Sequence, residues 1–200
     1  LYTLTERSGT HDHMRVIGSL KEISYAPAHM PQMLDLLASN MIKIISPTIT
    51  EKDYYYDSAG ILDLAHPDII ADLYGGIPKT VFGLLFQMAS QRMAQHAAPV
   101  TLLSCDNLPG NGHLLRQLLV QFAERVDTDV ARWIQAKTAC PNSMVDRITP
   151  TVTQASRDYV QAQFDVDDAC PVISEAFLQW VLEDRFINGR PALETSAVPI

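Results

Sequence analysis

The stretch PKTVFGLLFQMASQRMAQHAAPVTLLSCDN, residues 78–107, decides the fold. Pro78 suits the first position of a helix, where its missing N–H is no loss. Val81, Leu84, Leu85, Met88 and Met93 then recur at helical spacing and form one apolar stripe. Pro99 interrupts that pattern, and Val100–Ser104 reads as a short strand. The same alternation continues outward. Upstream, Met33, Leu34, Leu36 and Leu37 predict a short amphipathic helix over Pro31–Ser39. After it, Met41–Ser46 is a β-branched, nearly continuous apolar run that fits a strand buried on both faces of a parallel sheet. Downstream, Asn107–Gly112 is rich in turn formers. His113–Arg125 then reads as a helix with Leu114, Leu115, Leu118, Leu119 and Phe122 inward, and Asp127–Lys137 as another with Trp133 and Ile134 buried. Strands alternating with helices define an α/β fold: an open, mostly parallel sheet with flanking helices.

The two ends of the chain read differently. Leu1–Thr5 and Met14–Ile23 are strand-like, with Ser8–His13 as a polar turn between them. The alternation already under way at Leu1 predicts an internal piece of a longer chain. Beyond Pro150, a polar helix over Thr153–Gln163 with Thr151 or Thr153 as its cap and a strand over Pro171–Ser174 are expected. Phe177, Trp180, Val181 and Phe186 have mixed spacing, and Asn188–Pro191 is a turn.

Composition narrows the function classes. Among 200 residues there are 15 Lys and Arg against 23 Asp and Glu, a net charge of −8. That balance argues against a general nucleic-acid or anionic-membrane binder, which needs a cationic surface. It leaves room for a small phosphorylated ligand held locally. No apolar run approaches the ~20 residues of a spanning helix. Cys105, Cys140 and Cys170 are too few and too widely spaced for a disulfide framework or a zinc site, so a cytoplasmic, reducing setting is expected.

In an open α/β sheet, ligands bind beyond the carboxyl ends of the strands. Two such ends carry polar clusters: Ser46-Pro47-Thr48-Ile49-Thr50-Glu51 and Ser104-Cys105-Asp106-Asn107. Hydroxyls, an amide and carboxylates there suit a dinucleotide and a polyhydroxylated ligand, although the same residues are also ordinary turn formers. A third cluster, Pro141–Arg147, puts Asp146 beside Arg147; a local Asp–Arg pair holding the loop competes with a ligand role. His11 and His13 lack a third metal-ligand partner nearby, Cys105 has no histidine close in sequence, and His113 reads as a solvated helix residue. No glycine-rich phosphate loop, Walker motif or zincin motif is present.

The run Ser104-Cys105-Asp106-Asn107-Leu108-Pro109-Gly110-Asn111-Gly112, followed by Pro141-Asn142-Ser143-Met144-Val145-Asp146-Arg147-Ile148-Thr149-Pro150, resembles the mannitol dehydrogenase family, the polyol-specific long-chain dehydrogenases. Val16–Ser19, Thr48–Glu51, Pro78–Gly83, Gln179–Asp184 and Asn188–Pro191 fit the same family in the same order. The resemblance implies a Rossmann-type NAD(P)-binding domain over 1–150, with its first βαβ elements missing, and a remainder over 151–200 leading to a helical C-terminal domain. It implies oxidation of a sugar alcohol to a ketose, or the related hexuronate reaction, with NAD or NADP and no catalytic metal.

By the same resemblance, Asn107 polarises the reacting oxygen and Asp146 belongs to the substrate-side polar network. Ser46, Thr48 and Thr50 would face the nicotinamide end of the cofactor. The family's glycine-rich turn is expected upstream of Leu1 and its catalytic lysine downstream of Ile200, so the 200 residues alone are expected not to turn over. Asp53 departs from the family's usual glycine, and Ala176 from its usual proline. The competing reading is a non-catalytic α/β module that binds a nucleotide or a partner. The identity of the polyol and the oligomeric state are not legible at this stage.

Overall fold

Pro99 separates helix from strand as expected. In the computed structural model, which describes residues 1–9 and 11–195, the elements in chain order are β1 (Tyr2–Ser8), β2 (His11–Ile17), α1 (Ala26–Ala38), β3 (Ile44–Ile45), α2 (Pro67–Leu73), α3 (Val81–Ala94), β4 (Val100–Leu102), α4 (Asn111–Val126), α5 (Thr128–Lys137), β5 (Thr138–Ala139), β6 (Ser143–Asp146), α6 (Gln154–Phe164), β7 (Val172–Glu175) and β8 (Gln179–Leu182). Short 3-10 turns cover Glu51–Tyr54 and Leu193–Thr195. The chain divides into two compact units, one of residues 24–145 and 180–195, the other of 1–23 and 146–179. No helix among the described residues is long and apolar enough to cross a membrane.

The larger unit carries the parallel sheet, in the order β3-β4-β5. Ile44 lies opposite Thr101, and Val100 opposite Thr138. The ladder runs on past β3, with Leu103 N–H donating to the Ile45 carbonyl (2.8 Å) and Cys105 N–H to that of Pro47 (2.9 Å). Crossovers through α2 and α3, and through α4 and α5, join the strands, as parallel pairing requires. Leu85, Met88, Leu102, Leu115, Leu118, Leu119, Phe122 and Ile134 form the buried core between sheet and helices.

Two expectations change here. Only Ile44–Ile45 of the run 41–46 forms a strand, and both residues are half-buried, while Met41 is exposed. As the edge of the described sheet, β3 pairs on one side only. α1 begins five residues before Pro31, with its backbone broken at His29 (φ −130°, ψ 28°), which lets the helix accommodate a proline without an N–H to bond.

The interior also holds a charge that no apolar pattern announces. Arg92, on α3, is fully buried. Its guanidinium donates to the carbonyls of Leu37 (2.6 Å), Ser39 (3.1 Å), Ile42 (3.1 Å) and Ala98 (3.1 Å). It thus closes the carboxyl end of α1 and fixes the segments that lead into β3 and β4. Planar geometry with several donors lets one arginine serve four acceptors.

The smaller unit is a mixed sheet in the order β2-β1-β7. β1 and β2 form an antiparallel hairpin, Tyr2 opposite Ile17 and Ser8 opposite His11, and β1 runs parallel to β7. The second strand therefore starts at His11 inside the expected polar turn and stops at Ile17, not Ile23, because pairing with β1 sets its limits. Gly9, at φ +59°, turns the hairpin. α6 is capped by Thr153, whose hydroxyl accepts from Ser156 N–H. It packs on the hairpin through Tyr159, which donates to Asp12 and lies under the Arg7 guanidinium (4.3 Å to the ring centre). Asp168 accepts from the N–H and hydroxyl of Thr3 (2.6 and 2.8 Å). The mixed spacing over Glu175–Phe186 resolves as strand: β7 ends at Glu175 and β8 pairs with β6.

Two stability tests follow. Arg92→Met removes the guanidinium bonds to four half-buried carbonyls, of which that of Ser39 keeps Ile42 N–H, and should cost about 2–4 kcal/mol, read as a lower urea midpoint at unchanged m-value; a change under about 0.5 kcal/mol would show the guanidinium to be dispensable. In the smaller unit, the hydrogen bond from Arg147 (2.5 Å) holds the Glu6 carboxyl below its ordinary range. A depressed carboxylate contributes stability that is complete above pH 4.5, its unfolded value, and is lost as pH falls through the folded one. Glu6→Gln should flatten the loss of thermal stability below pH 4.5; an unchanged acid slope would contradict the assignment.

Candidate functional site

Where the sheet of the larger unit ends, β4 and β5 splay apart. Their last paired residues are Thr101 and Ala139. Beyond them, one buried side chain makes most of the links between the two continuations. Asn111, the first residue of α4, is fully buried. Its Oδ1 accepts from Ser143 N–H (3.0 Å) and Gly112 N–H (2.8 Å). Its Nδ2 donates to the carbonyls of Ser143 (2.9 Å), Ser104 (3.3 Å) and Asp106 (3.3 Å), and to Asp106 Oδ1 (3.1 Å). The reciprocal pair with Ser143 imitates a strand–strand bond, so the amide extends the ladder where the backbones have parted. The Ser143 hydroxyl also donates to the Ser104 carbonyl.

Asp106 is the second centre. Its Oδ2 accepts from the hydroxyls of Ser104 (2.5 Å) and Tyr54, and its Oδ1 from Leu108 N–H (3.0 Å) and Asn111. Tyr54 is fully buried at the end of the 3-10 turn that follows Thr50, and its hydroxyl also lies 2.9 Å from the Ser104 hydroxyl. Burial, reinforced by the Asp106 carboxylate, pushes the phenol well above its ordinary range. Tyr54 therefore stays a hydrogen-bond donor at any working pH.

The start of α4 is closed by Asn142, whose side-chain oxygen accepts from Gly112 N–H (3.1 Å) and His113 N–H (3.2 Å). Asn142 is held in turn by Glu183, which accepts from its backbone N–H (2.9 Å). Gly112 is required here: a Cβ would lie 2.3 Å from the Pro141 carbonyl oxygen.

Against this framework the expected site residues take distinct places. Asn107 is exposed beside the saturated Asp106, and its own side chain makes no hydrogen bond among the described residues. Ser46 and Thr48 are exposed on the neighbouring strand end. Burial raises the Cys105 thiol, with the Ser46 hydroxyl acting against it. Thr50 is exposed too, but its hydroxyl donates to Asp53, where the resemblance leads one to expect glycine. Asp146 closes β6 three residues after Ser143, in the other unit, and is exposed with no side-chain partner among the described residues.

The expected Asp146–Arg147 pair is not made. Arg147, just past the end of β6, turns to Glu6 (2.5 Å) and to the Glu175 carbonyl (3.1 Å). Asp12 and His13 are likewise occupied, by Tyr159 and Arg7, and beside Glu6. Sequence reasoning missed Tyr54 and Asn111. An Asn-Gly pair read as turn, directly before a helix, was the one available signal for the second.

Parallel strands whose carboxyl ends gather exposed hydroxyls and a free amide over a braced floor define an α/β domain of the dinucleotide-binding class. The comparisons make this specific. The chain belongs to the mannitol dehydrogenase Rossmann domain family, whose profile matches residues 1–195. It is 42% identical over 203 residues to mannitol 2-dehydrogenase of Pyrenophora tritici-repentis, covering 100% of this chain and 36% of that protein. It is 40% identical over 199 residues to mannitol 2-dehydrogenase of Cereibacter sphaeroides, covering 99% of this chain and 42% of that protein. Among solved structures, Pseudomonas fluorescens mannitol 2-dehydrogenase in a ternary complex with NAD and D-mannitol superposes with a TM-score of 0.95 at 43% identity, over 99% of this chain and 41% of that one. A D-sorbitol dehydrogenase in substrate-free form gives 0.93 at 38% identity, over 99% and 42% of the two chains. The chain thus spans roughly two fifths of the length of these relatives.

Proposed function

We propose that this chain is the cofactor-binding part of an NAD- or NADP-dependent polyol dehydrogenase, one that interconverts a mannitol-like sugar alcohol with a fructose-like ketose or the related hexuronate pair. The observation that carries the reading is Asn107: an amide with no internal partner, exposed at a sheet's ligand-binding end, next to a carboxylate whose four hydrogen bonds fix the loop. Support comes from the relatives at 40–42% identity and from the Pseudomonas enzyme that binds NAD and D-mannitol.

The donor set fits a dinucleotide. Ser46 and Thr48 offer hydroxyls on one strand end, and Asn107 an amide on the next. The bound nicotinamide supplies a hydride acceptor at C4. Asn107 Nδ2 donates to the substrate's reacting hydroxyl oxygen and holds it more strongly as negative charge builds there. That preference for the transition state accelerates transfer without tightening cofactor binding. The hydroxyl proton goes to a lysine in the part of the relatives' length that this chain does not span. Ser46 and Thr48 orient the nicotinamide end, while Thr50 acts there only if its hydroxyl leaves Asp53. Asp146 serves the substrate-side polar network as a free acceptor.

In the whole enzyme, Asn107→Ala should lower kcat for polyol oxidation by about 10²–10³ and leave the NAD dissociation constant within about threefold. Turnover at the unsubstituted rate would refute the donor role of Asn107. Absence of hydride transfer to NAD or NADP with any polyol or hexuronate would favour a non-catalytic binding module.

A further inference from the structure

Two loops border the proposed site. One follows β3 and carries Thr48 and Thr50; the other follows β4 and carries Asn107. Backbone pairing between them ends where Cys105 N–H donates to the Pro47 carbonyl. Past that point a side-chain link joins them. Tyr54, at the end of the first loop, reaches across 52 residues of sequence to Asp106, at the start of the second. Asp106 is the immediate neighbour of Asn107.

We infer that Tyr54 is a positioning residue for hydride transfer: through its hydrogen bond to Asp106 it sets Asn107 in register with the loop that receives the nicotinamide. The inference rests on the role proposed above for Asn107.

Three features support it. Tyr54 is fully buried, so its hydroxyl is a donor fixed from the core side against a half-buried carboxylate. Its ring is independently fixed in the core cluster and meets Tyr56 edge-on (6.3 Å), so the hydroxyl's place is set by packing. Asp106 has no acceptor capacity to spare, since both oxygens take two donors. Removal of one donor therefore frees the carboxylate to rotate toward the others, and the adjacent Asn107 moves with it. Small misplacements of a group that holds a reacting atom are costly. Tyr54 touches neither substrate nor cofactor on this reading; it acts through Asp106.

Tyr54→Phe removes only the hydroxyl and keeps the ring, so the core is retained. In the whole enzyme it should lower kcat by about tenfold and leave the NAD dissociation constant within about twofold. Asp106→Asn, which keeps the shape but offers donors where acceptors are needed, should lower kcat by about a hundredfold. The decisive arm is the double substitution. If Tyr54 acts through Asn107, then in the Asn107→Ala background Tyr54→Phe should change kcat by less than about twofold. Two results overturn the inference while leaving Asn107 in place as the donor. One is kcat within about twofold of the unsubstituted enzyme for both Tyr54→Phe and Asp106→Asn while Asn107→Ala is crippled. The other is a Tyr54→Phe effect of equal size in both backgrounds, which marks a general structural role. Full activity of Asn107→Ala removes the donor itself, and the inference with it.

Discussion

A fully buried amide has no water to fall back on, and Asn111 meets that constraint by bonding to every strand end around it. Its two faces are used differently. The oxygen takes the N–H of Ser143 and of its own helix, and the nitrogen spreads over carbonyls of β4's continuation and of Ser143. The two strand ends cannot drift apart without leaving that amide unpaired, at a cost of about 1–3 kcal/mol per lost partner. Loops that carry ligand-binding groups are usually the least restrained part of a domain. Here the residues beneath Asn107 are tied by a dense set of side-chain hydrogen bonds, through Asp106 and Asn111.

The opposite end of the same sheet is organised by a different chemistry. Arg92 satisfies four carbonyls where α1 ends and where β3 and β4 begin. It faces no carboxylate in its hydrogen bonds, and burial lowers its pKa from the ordinary arginine value. A side chain of only donors suits a region of only acceptors. The amide of Asn111, both donor and acceptor, suits the mixed end. Side chains of the covering helices thus hold both ends of β4, Arg92 the approach and Asn111 the continuation past Ser104, while Arg116 of α4 donates to the Thr138 carbonyl of β5 (3.1 Å).

The alternation of helix and strand was legible because it rests on local signals: Pro78, Pro99 and apolar stripes on α3 and α4. The strand-end clusters were legible for the same reason, since the topology of an α/β sheet says where to look. Tyr54 and Arg92 were not. A tyrosine after a polar turn and an arginine among apolar residues are ordinary in one dimension, and all their partners but Ala98 lie 50 to 55 positions away. The Asp146–Arg147 pair failed for a related reason: Arg147 takes a stronger partner that sequence distance hides, Glu6, 141 positions away. Thr50 shows the reverse, a local substitution with a local effect, because Asp53 takes the hydroxyl that the family resemblance assigned to the cofactor.

On the proposed reading, a braced floor of Asn111, Asp106 and Tyr54 holds the free amide of Asn107 toward the reacting oxygen. A crystal structure of the whole enzyme with NAD and a polyol tests it most directly. The account predicts Asn107 Nδ2 within about 3 Å of the reacting hydroxyl oxygen, with the Tyr54–Asp106 and Asn111–Ser143 hydrogen bonds unchanged. A polyol bound with Asn107 more than about 5 Å from that oxygen, or a ligand-bound state in which the Tyr54–Asp106 bond is broken, would contradict it.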